Sequence, residues 1–218
     1  MGSYWENKFL QKRWIPLKKK LKLTPKQKSV LIGSLLGDGT LRRGVKAINV
    51  NFKVEHGLAQ KDYVWWKYSV FNNWVFTEPK LSSRYRKNGE KYLKSWWFRT
   101  IRHPILTKYW QQFYKNRIKI VPDSIEKYLD PLVLAVWIMD DGSYQRNKID
   151  ISTYAFSLEE IQRLKLALDR KFNLVTKFYR DRDKGYRMYF SVLETEKVID
   201  FISPYIIPSM RYKIGFPR

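Results

Sequence analysis

Two apolar stretches of this 218-residue chain, SVLIGSLLGDGTL (Ser29 to Leu41) and PLVLAVWIMDDGSY (Pro131 to Tyr144), each run into an aspartate followed by glycine. Apolar residues recurring at helical spacing predict two buried helices. Each places an acid at its C-terminal end, where the helix dipole already carries about half a negative charge and a carboxylate is disfavoured by roughly 0.3–1 kcal/mol. A chain that makes the same unfavourable choice twice is built to receive a positive charge there. The duplication also restricts the fold to one written twice. Asp38 and Asp141 occupy the same place in the two copies, and Asp140 is an adjacent, non-equivalent carboxylate.

The segments behind each helix repeat as well. After the first helix (24–37), AINVNFKV alternates as a strand, with Ile48, Val50, Phe52 and Val54 on one face and Asn49, Asn51 and Lys53 on the other. A helical segment follows, LAQKDYVWWKYSVFNNWV. KLSSRYRK and KYLKSWWFRT then form a hairpin through Asn88-Gly89, and ILTKYWQQFYKNR is a closing helix. The second copy is shorter. It comprises the helix at 131–141, the strand KIDIST, and SLEEIQRLKLALDRKF opened by a Ser157/Glu160 capping box. The hairpin TKFYRDRDKGYRMYFSV, turning near Asp183 to Gly185, and the helix TEKVIDFISPYI complete it. Pro122 and Pro131 bracket the connecting loop. The expected organisation is a basic N-terminal arm over 1–23, one subdomain over 24–127 and a second over 128–218. Gly39 and Gly142 are expected to end the helices in the left-handed conformation. Gly33, Ser34 and Ala135 are expected to let the helices approach closely.

Charge indicates the partner. Lys and Arg total 43 against 20 acids, a net +23. That excess favours nucleic acid, with an anionic membrane surface second. Hydrophobic residues at 44% are enough for a folded core. No cysteine is present, which removes disulfides, zinc–thiolate sites and thiol nucleophiles. His56 and His103 are the only histidines, expected to be structural or near phosphate rather than catalytic. No apolar run reaches the roughly 18 residues a membrane span needs. Trp65-Trp66 and Trp96-Trp97 read as packing before base stacking. Lys18, Lys19 and Lys20 suit phosphate contacts that position a duplex. An intracellular setting is expected, in an organelle or a prokaryotic cytoplasm.

LIGSLLGDG (Leu31 to Gly39) and LAVWIMDDG (Leu134 to Gly142) resemble the paired signature of the LAGLIDADG homing endonucleases, the second copy more closely than the first. HGLAQKDYVWWKY is similar to the family's helix after its first strands, and IIPSMRYK to its closing segment. The resemblance spans most of 24–214, in the order of the single-chain, two-motif branch. It implies an α+β fold, a pseudo-twofold tandem of two αββαββα subdomains. Their signature helices pack side by side, and their antiparallel sheets form a saddle over double-stranded DNA. It implies that Asp38 and Asp141 bind Mg²⁺ beneath the scissile phosphates, with Mn²⁺ substituting and Ca²⁺ binding without supporting cleavage. The carbonyls of Gly37 and Asp140 are the nearest spare acceptors for that metal. Lys119 and Lys213 match the family's basic residue of each half.

The expected DNA contacts are Asn49, Asn51, Lys53, Arg84, Arg86, Lys94, Lys148, Lys177, Arg180 and Arg187. A two-stranded ribbon fits the major groove, where Arg reads guanine and Asn reads adenine. The implied activity is a staggered double-strand break with a short 3′ overhang in a long asymmetric site. The agent would be an intron-encoded monomer with no obligate protein partner; an intein origin is less expected, since no splicing segments flank the domain. The competing expectation is a maturase or nucleic-acid-binding protein that keeps the fold without cutting. Retention of both aspartates argues for cleavage.

Overall fold

The computed structural model describes residues 20–217, so Lys18 and Lys19 lie outside the described residues. Helix α1 (Pro25–Leu36) begins at a capping box: the Thr24 hydroxyl accepts from the Gln27 amide, and the Gln27 side chain accepts from the Thr24 amide. It leads to β1 (Thr40–Arg43), β2 (Val50–Gly57), α2 (Lys61–Val70), β3 (Lys80–Tyr85), β4 (Lys91–Arg99) and α3 (Pro104–Phe113). A short hairpin, β5 (Tyr114–Lys115) with β6 (Ile118–Lys119), and a 3₁₀ turn at Ile125–Tyr128 connect to the second half. That half is α4 (Pro131–Asp141), β7 (Gly142–Gln145), β8 (Lys148–Ser152), α5 (Leu158–Phe172), β9 (Thr176–Arg180), β10 (Tyr186–Phe190) and α6 (Val192–Ile202), followed by a 3₁₀ segment, Pro208–Ile214. The two four-stranded sheets are antiparallel and share one order, β1-β2-β4-β3 and β7-β8-β10-β9. The fold is α+β, and the repeat in the sequence is a repeat of topology.

Several sequence expectations are corrected. Strands β1 and β7, TLRR and GSYQ, are too short and polar to betray themselves by alternation, yet each pairs with the strand after it. YKNR does not extend helix α3. Asn116 and Arg117 both take positive φ, 51° and 66°, and turn β5 into β6, the backbone that a two-residue hairpin requires. Arg146 and Asn147 do the same between β7 and β8. Ile48 is 81% exposed, because β2 begins two residues later.

Helices α1 and α4 form the centre of the core and run side by side in the same direction. At their starts, Ser29 Oγ donates to Asp130 Oδ2 at 2.5 Å, while Asp130 caps α4 by accepting from Val133 N. At their ends, Asp38 N donates to Asp140 Oδ2 at 3.0 Å. Glycine makes the approach possible. A Cβ on Gly33 would stand 2.6 Å from Val133 O, and one on Gly37 would stand 2.4 Å from Asp140 Cβ. Gly39 and Gly142 are not left-handed as expected; Gly142 is extended at φ −74°, ψ 154°. Space, not backbone conformation, demands glycine at 142, where a Cβ would meet Ile138 O at 2.5 Å.

Candidate active site

Asp38 follows the last turn of α1, Asp141 is the last residue of α4, and both line one cleft of about 200 Å³ with Gly37, Lys119 and Thr153. Two lysines stand in matching positions. Lys119, on β6, donates Nζ to the carbonyls of Gly37 (2.5 Å) and Gly39 (2.9 Å). Lys213 donates to the carbonyls of Asp140 (3.4 Å) and Gly142 (2.7 Å). Each ammonium therefore bridges the carbonyls on either side of its own half's aspartate. The hairpin that replaces the end of the expected helix is what delivers Lys119. The Gly37 and Asp140 carbonyls, expected as metal ligands, already accept from these ammoniums, although a carbonyl retains a second lone pair. Burial draws the Lys119 ammonium down from the usual lysine range, against the pull of Asp141, Asp140 and Asp38.

The Asp140 side chain is spent on protein donors and is not free to serve a metal. It is fully buried. Its Oδ1 accepts from Lys67 Nζ and from Tyr63 OH, each at 2.7 Å, and its Oδ2 accepts from Asp38 N. Lys67 Nζ also lies 3.3 Å from His56 Nε2 and 4.4 Å from the centre of the Tyr63 ring. His56 Nδ1 is 3.4 Å from Asp38 Oδ2. Sequence reasoning did not select Lys67 or Tyr63, and set His56 aside. One signal was present: Lys67 sits between Trp66 and Tyr68 in an aromatic helix, and a lysine enclosed in such a run needs a buried partner.

The two seam aspartates differ electrostatically. Burial works to raise the Asp38 carboxyl, yet it lies below the usual carboxylate range because His56, Lys67 and Lys119 face it. Asp141 goes the other way. Burial, then the like charges of Asp38 and Asp140, push it up to about 8, outweighing Lys119 and Lys213. Asp141 also has no side-chain hydrogen bond among the described residues. Asp141, crowded by Asp38 and Asp140 and without a side-chain partner of its own, suits a hard divalent ion, which prefers oxygen ligands.

A pH dependence follows. Asp141 takes up its proton far more readily folded than unfolded, so the folded state binds more protons between about pH 4 and pH 8. In chelator, its contribution to stability is therefore largest in acid and is lost as pH rises to about 8. Thermal unfolding from pH 5 to 8 will show that fall in the native chain, and Asp141→Asn will flatten it. An equal slope in both proteins contradicts the electrostatics described.

Each aspartate opens onto the polar face of its own sheet. Asp38 shares a pocket with Arg42, Lys53, Glu55 and Lys94, and Asp141 shares a larger one with Lys148, Asp150, Tyr179 and Arg187. Arg84, Lys94, Lys148 and Lys177 are exposed. An irregularity between Ser82 and Ser83 makes Lys94 an extra residue on β4 and turns it to the Glu55 side. Lys53 bonds Glu55. Arg86 pairs with Glu90 at the hairpin tip. Arg187 is held by Asp150 (2.5 Å), Tyr154 (3.0 Å) and Ser143 (3.2 Å). Three further expected contacts differ in setting. Asn51 is 7% exposed, Asn49 precedes the strand and accepts from Thr107, and Arg180 pairs with Tyr186, in phase with Phe178 rather than with Lys177.

Comparison with known proteins bears on the family and the fold. A family profile described as the LAGLIDADG DNA endonuclease family matches residues 28–198. The cytochrome b mRNA maturase bI2 of Saccharomyces cerevisiae is 31% identical over 202 residues, covering 86% of this chain and 47% of that protein, so the chain spans about half the length of that relative. DNA endonuclease I-ChuI of Chlamydomonas applanata is 29% identical over 211 residues, covering 89% of this chain and 97% of that one. The solved structure of the homing endonuclease I-WcaI bound to its DNA recognition sequence matches with a TM-score of 0.84 at 28% identity, over 92% of this chain and 91% of that one. No helix among the described residues is long and apolar enough to cross a membrane.

Proposed function

The chain belongs to the LAGLIDADG DNA endonuclease family, and on that premise we propose that it cuts both strands of a long, asymmetric DNA duplex by metal-dependent phosphodiester hydrolysis. One observation carries this reading: Asp38 and Asp141 meet in one cleft, each flanked by a lysine held against its own helix end. Asp38 and Asp141 would hold a hard divalent cation at each helix end, and when bound it would supply a more acidic water and offset charge on the departing 3′ oxygen. Magnesium is the expected ion, with Mn²⁺ substituting and Ca²⁺ binding without cleavage.

The chain's own groups do the rest. Lys119 and Lys213 carry positive charge fixed beside the two centres, where charge grows on the phosphate as it is attacked. Two centres in one seam would cut two strands, and the family resemblance implies a staggered break with a short 3′ overhang. Two unequal subdomains, 24–127 and 128–218, each read their own half-site, so one chain suffices and the target is not palindromic. The polar sheet faces, with Lys53, Arg84, Lys94, Lys148, Lys177 and Arg187, supply the groove contacts. Arg84→Ala will relax base choice at one position, by about 1–3 kcal/mol. Sequencing the sites that the variant cuts checks this; uniform weakening at every position would make Arg84 a phosphate contact instead.

The relation to the yeast maturase favours one second reading, an RNA-binding role on the same basic fold. Tight binding to a structured intron RNA, with no duplex cut from a broad plasmid library in Mg²⁺, would replace the enzyme reading with that one.

A further inference from the structure

The seam is symmetric in topology but not in chemistry. Around Asp38 the contacts close into a ring. The Asp38 carboxylate meets His56 Nδ1 at 3.4 Å, and His56 Nε2 meets Lys67 Nζ at 3.3 Å. Lys67 donates to Asp140 Oδ1 at 2.7 Å, and Asp140 Oδ2 accepts from the Asp38 amide at 3.0 Å. Tyr63 braces the ring by donating to Asp140 Oδ1 while its ring lies beneath the Lys67 ammonium. The backbone of Asp38 is thereby tied to Asp140, and its carboxylate faces His56.

Among the described residues no such ring surrounds Asp141, and the sequence shows why. The residue before Asp141 is Asp140, but the residue before Asp38 is Gly37, which has no side chain to offer. A side chain at 37 would overlap Asp140 itself, so only one of the two helices has room for a carboxylate at this level. Strand register extends the contrast. Thr40 pairs with Lys53, three residues before His56; Ser143 pairs with Asp150, three residues before Thr153. The place of the histidine is taken by a threonine. On the helix that follows, α2 buries Tyr63 and Lys67, while α5 buries only Ile161, Leu164, Ala167 and Leu168.

We infer that Asp140, Lys67, Tyr63 and His56 are positioning residues for Asp38 alone, which makes the two cutting centres of the seam unequal. Stability by itself is a poor reason for such a ring, since a buried ion pair is often no better than an apolar contact of the same volume. Its geometry is directional: the pair ends on the amide of one seam aspartate, and the histidine ends on that residue's carboxylate. Lys67 neutralises Asp140, which admits a third carboxylate to the seam without leaving its charge uncompensated.

This inference rests on the endonuclease reading, and strand-resolved kinetics separate the two. A duplex selected by the wild-type protein is labelled on both strands and cut in Mg²⁺ by wild type, Tyr63→Phe and His56→Gln, variants that leave the Lys67–Asp140 pair in place. Each variant is expected to slow nicking of one and the same strand by about 10–100-fold, the usual cost of losing an orienting partner. The other strand stays within about twofold of wild type, well short of that cost, so nicked plasmid accumulates while duplex binding is unchanged. Equal slowing of both strands, or of neither, overturns the inference and leaves the endonuclease reading standing. A wild-type protein that cuts no duplex removes both.

Discussion

Asp38→Asn and Asp141→Asn will each abolish double-strand cleavage of the duplex that the wild-type protein selects, by roughly 10³-fold or more, the scale of losing a principal transition-state stabiliser. Binding of that duplex will persist or tighten. The reason is electrostatic. Each aspartate is exchanged for a neutral group of the same shape, so the seam keeps its packing but loses one of the two carboxylates proposed to hold divalent metal. At Asp38 the exchange removes a negative charge that would face phosphate, and at Asp141, whose pKa is raised to about 8, it adds none, which is why binding does not suffer. Cleavage assays and gel shifts on the same DNA check both halves of the prediction. Full linearisation by either variant contradicts the assignment of the two carboxylates.

Lys67→Met will cost the fold heavily. Lys67 and Asp140 are both fully buried, and their 2.7 Å pair joins α2 of the first half to α4 of the second. Methionine fills most of the volume but leaves the Asp140 carboxylate without its counter-charge. Breaking one side of such a pair costs about 3–5 kcal/mol. For a chain of this size that lowers Tm by roughly 6–20 °C. The double variant Lys67→Met/Asp140→Asn will recover most of the loss, because no charge is then stranded. Calorimetry of the single and double variants decides the matter. A single variant that melts with wild type shows that the pair is not compensated in the way its geometry states.

What the sequence disclosed and what it hid divide along a physical line. Features set by neighbouring residues were legible. The two runs ending at Asp38 and Asp141 stand where α1 and α4 end, and the Ser157/Glu160 box opens α5. The hairpin signals at Gly89 and Gly185 fall at turns, where both glycines adopt positive φ. Features set by register and approach were not. The role of Asp140 depends on Gly37 leaving space across the seam, and its partners Tyr63 and Lys67 come from another helix. Lys94 was selected, but the irregularity on β4 that sets its direction was not legible, and pairing with Tyr186 fixes the phase of Arg180 away from Lys177. Lys119 depended on a turn through Asn116 and Arg117, where the apolar pattern of α3 suggested more helix. Lys119 and Lys213 were nonetheless selected by their resemblance to the family, and both stand beside the aspartates.

The most direct test of the seam is cleavage of a plasmid library carrying a randomised duplex, by the purified protein, in Mg²⁺, in Ca²⁺ and in chelator. The expected result is linear plasmid in Mg²⁺ only, every molecule sharing one long, non-palindromic site with a short 3′ overhang. Linear product in chelator, or no linear product at any sequence in Mg²⁺, would contradict a cation-dependent cutting centre at Asp38 and Asp141.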